Sequence, residues 1–264
     1  MNIHGSAYAQ NDLVALASDL ETVIASGFRI LPLHHVVDTW LRTPDALAGE
    51  RIVAITCDQG ADLDFHDLAP PQAGAQRSVF NILRDFGKRH PGARATATSF
   101  VIVGPEARRE LDKACMGARG WWTDAWWREA AASGLLHIAN QSWDYNHASL
   151  PDFFSHGVPL GTFRSIATRE LADAEIARAA EYLRMHAPNP GDTLFAYPYG
   201  ESNEYLVSEY FPRFGARLGI SAAFTREPAY FTTGAARWRI PRFVFGRDWK
   251  SPAELEGILA GAAQ

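Results

Sequence analysis

Short apolar runs rich in β-branched residues alternate along this chain with segments of helical period, and that alternation admits few folds. Ile52-Val53-Ala54-Ile55-Thr56 is apolar at nearly every position, the pattern of a strand covered on both faces. Leu13, Leu16, Leu20, Val23 and Ile24 recur at helical spacing, with Gly27 as a stop before an apolar run over 28–33. The same reading predicts helices over 36–41, 78–88, 121–133, 168–186, 204–214 and 252–259, with Thr168 or Asp173 capping the fourth of these. It predicts strands over 51–56, 95–103, 135–139, 193–197, 222–225 and 239–245. Strands separated by helices pair in parallel through right-handed crossovers, so the candidates are an α/β barrel and an open doubly wound sheet. In a barrel, chemistry sits at the C-terminal ends of the strands. Asp58, Gln141 and the segment 198–200 all follow predicted strands, and the long connection over 143–163 is placed to line a groove.

With 264 residues, 47% of them hydrophobic, the chain supports one sizeable core, and a single domain is the simplest reading. There are 25 Lys plus Arg against 30 Asp plus Glu, with neither sign gathered in a block, so nothing marks a nucleic-acid or anionic-lipid partner. A carbohydrate or a small N-acyl compound fits better. No basic-then-apolar leader opens the sequence and no run is long enough to span a bilayer, so a cytoplasmic location is expected. Cys57 and Cys115 are too few and too far apart for a disulfide framework and read as reduced thiols.

Four strings carry a resemblance. Thr56-Cys57-Asp58-Gln59-Gly60 is similar to the first motif, Thr-Phe-Asp-Asp-Gly, of the polysaccharide deacetylases, the NodB-like carbohydrate esterases. Asn140-Gln141-Ser142-Trp143-Asp144-Tyr145 resembles the second, built on His-Thr/Ser-x-x-His. Ala97-Thr98-Ser99-Phe100-Val101 looks like the family's next strand, and Phe195-Ala196-Tyr197-Pro198-Tyr199-Gly200 its third motif. The order is that of the family, and flanking segments resemble its branch acting on poly-N-acetylglucosamine. The resemblance implies a distorted (β/α) barrel and metal-assisted removal of acetyl groups from amino sugars. In that scheme Asp58 is the general base, and the third motif supplies a backbone N–H to the oxyanion and walls to the sugar groove. A divalent metal such as zinc is held by one Asp and two His. Here those three positions carry Gln59, Gln141 and Tyr145, and a one-residue adjustment puts His147 in place of the last.

Carboxamides are weak neutral donors for a dication, so no tightly bound metal is expected at these positions and hydrolysis by the family's route should be very slow. The cluster Asp62, Asp64 and His66 is a candidate relocated metal site with His147, although such loop residues are more often merely solvated. Trp143, Tyr199, Pro198, Arg242 and His147 are the expected sugar-binding residues, with Arg242 also a candidate partner for Asp58. His137 reads as a core histidine, and Trp121, Trp122, Trp126 and Trp127 as a core face. The leading expectation is therefore a deacetylase homologue with a degenerate metal site that recognises carbohydrate. The alternative is a metal-independent amide hydrolase of the allantoinase-like type.

Overall fold

The computed structural model describes residues 3–71, 73–187 and 193–262; residue 72, in the Pro-rich segment after the first motif, lies outside them. The fold is α/β with a parallel sheet. Five strands, β3 (Ile55–Gln59), β4 (Ala97–Val101), β5 (Leu136–Asn140), β6 (Thr193–Ala196) and β7 (Ile220–Phe224), lie side by side in chain order and all run parallel. A parallel pair, β1 (Arg29–Ile30) with β2 (Ile52–Val53), precedes them, β2 being separated from β3 only by Ala54. Consecutive order in a parallel sheet follows from each strand being returned by a crossover of the same hand.

The helices pack on this sheet. They are α1 (Asp12–Ala25), α2 (Leu33–Arg42), α3 (Val79–Arg89), α4 (Pro105–Met116), α5 (Trp127–Ser133), α6 (Arg169–Ala172), α7 (Arg178–His186), α8 (Phe211–Leu218) and α9 (Pro252–Ala262). Side chains cap four of them: Asn11 accepts from the N–H groups of Leu13 and Val14, Ser78 from Asn81, Thr168 from Leu171, and Ser251 from Glu254. Asp173, the other candidate cap, instead opens a π-helical turn, Asp173–Ala177, that joins α6 to α7. A second π turn, Leu206–Tyr210, runs into α8, where Pro212 has no N–H to give to the preceding turn.

Three expectations are corrected. Helix α4 went unread, although Pro105 at its first turn and Gly117, left-handed at its C-cap, are the usual start and stop signals. Residues 121–126 are not helical, and α5 starts only at Trp127, yet Trp122, Trp126 and Trp127 are buried as the core reading requires. The strand over 239–245 does not form. Only isolated parallel bridges, Phe224 to Ile240 and Phe245 to Trp249, remain, and Pro241 lacks the N–H that a ladder would need there. Elsewhere the differences are in boundaries: β3 runs through Asp58 to Gln59 rather than ending at Thr56, and α8 continues to Leu218 rather than 214. Among the described residues no helix is long and apolar enough to cross a membrane.

Candidate functional site

The C-terminal ends of β3, β5 and β6 bring the three motifs together. Their backbone is unusual: Gln59, Ser142, Tyr145, Asn146 and Tyr199 all have positive φ without being glycine. Left-handed backbone costs an L-residue roughly 1–2 kcal/mol. Such strain is kept where surrounding structure holds side chains for a purpose, and it marks these strand ends as a built site.

Asp58 sits between two guanidinium groups. Arg242 places Nη1 at 2.8 Å from Oδ1 and Nη2 at 3.2 Å from Oδ2, and Arg226 places Nε at 3.2 Å and Nη2 at 2.9 Å from Oδ2. Arg242 is itself fixed by Thr56 Oγ1 and the Thr225 carbonyl, at 3.0 Å each. Burial alone would raise the Asp58 carboxyl; the charges of Arg242 and then Arg226 outweigh it and hold the group far below the usual carboxylate range. Arg242 was a candidate partner from sequence. Arg226 was missed, and its one signal is its place just beyond the end of β7.

At the positions where the resemblance puts metal ligands, Gln141 and Tyr145 are engaged with the backbone of neighbouring motif residues. Gln141 is fully buried; its Oε1 accepts from the Gln59 N–H at 2.6 Å, and its Nε2 has no hydrogen-bond partner. Trp122 Nε1 donates to the Gln59 carbonyl at 3.2 Å. The Tyr145 hydroxyl accepts from the Tyr199 N–H at 2.9 Å, and burial raises its pKa, so it stays protonated. The rings of Tyr145 and Tyr199 meet edge to face at 4.6 Å. Tyr199 in turn accepts the Ala148 N–H at 3.1 Å, and burial raises its hydroxyl to about 12.

His147 is half-buried beside both tyrosines, with centroid distances of 5.7 Å to Tyr145 and 6.5 Å to Tyr199, and its Nδ1 accepts from the Ser149 N–H. Burial lowers its pKa. Pro198 is buried at the base of the same turn. Trp143 is different: its ring is buried, edge-on to Tyr182 and covered on one face by Arg178 at 3.7 Å, so the stacking surface expected for a sugar is already occupied. A cavity of about 780 Å³ reaches Asp58, Gln59, Arg226 and Arg242 from the side of α1, α2 and α9. Its walls there are mainly apolar, with Asp12 and Asp19 of α1 among them, and the motif tyrosines do not line it.

The relocated metal site does not assemble. Asp62 accepts from the Thr123 N–H and hydroxyl, and Asp64 accepts the Ser99 hydroxyl at 2.5 Å. Among the described residues, the one group with ligand atoms close enough to share an ion is Asp144, His156 and Glu175. His137 is half-buried and edge-on to His34 at 4.3 Å; burial pushes it down to about 4, consistent with a neutral core histidine.

Asp64 yields a pH prediction. Burial, aided by the charges of Asp58 and Asp62, pushes its carboxyl up to about 7 from an ordinary value of 3.8. The folded chain therefore holds a proton between those values that the unfolded chain has released, and through Asp64 stability falls as pH rises from about 4 to about 7. Asp64→Asn carries no charge at any pH. Its melting temperature relative to the parent should be highest above pH 7 and converge near pH 4, the gain being on the order of 2–4 kcal/mol. A difference that does not vary with pH would contradict this.

The profile of the polysaccharide deacetylases matches residues 47–211, more than half the chain. The chain belongs to the polysaccharide deacetylase family. No curated protein sequence matches it. Solved structures with a similar fold include IcaB from Ammonifex degensii, 20% identical with a TM-score of 0.61 over 96% of this chain and 90% of that one. The Streptococcus pyogenes deacetylase PplD, in complex with acetate, is 17% identical with a TM-score of 0.60 over 94% and 86%. The BpsB deacetylase domain from Bordetella bronchiseptica is 19% identical with a TM-score of 0.56 over 86% and 83%. At such identities the likeness is one of fold.

Proposed function

We propose that this polysaccharide deacetylase homologue recognises N-acetylated amino sugars, of the poly-N-acetylglucosamine type, without performing the family's metal-assisted hydrolysis. The observation that carries this reading is the hydrogen bond from the Tyr199 N–H to the Tyr145 hydroxyl. By family resemblance that N–H is the donor that would meet the oxyanion, and the side chain standing where a ligand histidine is expected now covers it. An oxyanion donor contributes only if it is free when charge develops on the carbonyl oxygen.

The donor set does not fit the family's metal. Gln141 turns its oxygen to the Gln59 N–H, leaving a nitrogen that can only donate, and the Tyr145 phenol is neutral. A dication needs imidazole, thiolate or carboxylate donors. No step is therefore routed through a metal at these residues. Asp58 is equally ill suited as a base, since two guanidiniums lower its proton affinity and occupy its oxygens. What remains is a strained, preorganised strand-end surface with Tyr199, His147 and the two arginines as polar groups for a sugar. The same clamp on Asp58 disfavours the metal-independent amide hydrolase.

Incubation of the purified chain with N-acetylglucosamine oligomers should release acetate only at background, with or without added Zn²⁺ or Co²⁺. Calorimetry should find the oligomers bound with a Kd of about 1 mM or below. Restoring Gln59→Asp, Gln141→His and Tyr145→His together should raise metal-dependent acetate release by at least about 100-fold. Acetate release by the parent that chelation abolishes would overturn the proposal in favour of an active metalloenzyme. Chelation-resistant release would favour the amide hydrolase, and an absence of oligomer binding would remove the recognition role.

A further inference from the structure

The connection following β5 returns to α6 and α7 past a group of side chains that the site above does not use. Asp144 and Glu175 are both buried, and His156, on the same long connection, is 44% exposed in its side chain. One ligand atom from each of the three lies within 4.8 Å of the others. The buried Asp144 Oδ1 accepts from the Asn146 N–H at 2.7 Å, its carboxyl is hydrogen-bonded to the carboxyl of Glu175, and Oδ2 faces His156 Nε2 at 3.9 Å. Two buried carboxyls that share a proton beside an imidazole offer a place where a cation can take over the proton's part.

The supporting backbone is rigid where the carboxylates are and adjustable where the histidine is. The π turn releases carbonyl groups from the helical ladder: Glu175 O accepts from the Trp143 N–H at 2.8 Å, and Ile176 O from Asn140 Nδ2 at 3.3 Å. Glu175 Oε2 also lies 3.3 Å from the Asp144 N–H, so strand end and helix are tied on either side of the group. Zinc-class ions bind such donors at about 2.0–2.2 Å, which sets the donors roughly 3.2–3.5 Å apart in a tetrahedron. Closing the observed spacing requires a shift of about an ångström, which the exposed His156 side chain can supply, while solvent on that side completes the coordination. Arg178, whose charge also acts on Asp144, is stacked on Trp143 and forms no ion pair within 4 Å among the described contacts.

We propose that Asp144, Glu175 and His156 bind one divalent cation of the zinc class, at a place separate from the family's ligand positions. Two carboxylates with one imidazole form a mixed donor set that favours such an ion over Mg²⁺ or Ca²⁺, which take all-oxygen shells. Bound there, the ion staples the connection over 143–163 to the helix carrying Glu175. The site is independent of whether the strand-end surface recognises sugar.

The untagged full chain, stripped with a chelator, should take up one equivalent of Zn²⁺ by calorimetry and elemental analysis, and Co²⁺ should give visible absorption bands. His156→Ala, an exposed substitution that leaves the core intact, should weaken Zn²⁺ binding by at least about tenfold. Asp144→Asn should do the same, and Gln59→Ala should leave binding unchanged. Stoichiometric uptake unaffected by His156→Ala, uptake lost with Gln59→Ala, or no uptake by the parent chain would each overturn the proposal.

Discussion

Asp58→Ala should cost this protein about 3–5 kcal/mol of folding stability, because it leaves two partly buried guanidiniums without their shared counter-charge. For a chain of this size that corresponds to a fall in Tm of roughly 5–10 °C. The argument rests on asymmetry: forming a buried ion pair is nearly neutral overall, whereas removing one partner strands the other. Adding Arg226→Met and Arg242→Met to the Asp58→Ala chain should therefore recover part of the loss. Thermal and urea denaturation of the single and triple variants checks this. A loss below about 1 kcal/mol, the range of an exposed pair, would mean that Asp58 is not the anchor of this site.

Gly60→Ala should be of similar severity, at about 3–4 kcal/mol, from two separate causes. Gly60 has φ +68°, where an L-residue is strained by roughly 1–2 kcal/mol. A Cβ there would also lie 2.3 Å from Val101 Cγ1 and 2.9 Å from the Val101 backbone, inside the β3 to β4 contact, where overpacking adds about 1–3 kcal/mol. Gly27→Ala separates the two: φ is +77° and nothing lies within 4 Å, so only the backbone cost of about 1 kcal/mol should appear. Equal destabilisation by the two alanines would show that the Val101 contact relaxes freely.

What the sequence conveyed depended on whether the signal was local. The half-buried β3 and the buried β4 and β5 lie in mostly apolar stretches of sequence, and the third motif ends β6 where expected, so the architecture was legible. Helix α4 was passed over because its apolar positions are few amid charged residues, including the buried Arg108 and Asp112. The strand over 239–245 failed because alternation predicts extended backbone, not a hydrogen-bonded neighbour. The identities of Gln59, Gln141 and Tyr145 were plain, but the bonds from the Gln59 N–H to Gln141 and from the Tyr199 N–H to Tyr145 required coordinates. Arg226 meets Asp58 across 168 positions of sequence, and no local pattern encodes such a pairing. Glu175 was hidden for another reason: a π turn inserts an extra residue into the helical period, so a polar side chain is carried to the buried face.

The clamp on Asp58 has a consequence for what is admitted beside it. One carboxylate against two guanidiniums leaves an excess positive charge in a partly desolvated recess. A free glucosamine nitrogen, protonated near neutral pH, would be repelled from that recess, while an uncharged acetamide would not. If this strand-end surface takes sugars as proposed, the same electrostatics that deprive the carboxylate of basicity would sort acetylated sugars from their amine counterparts.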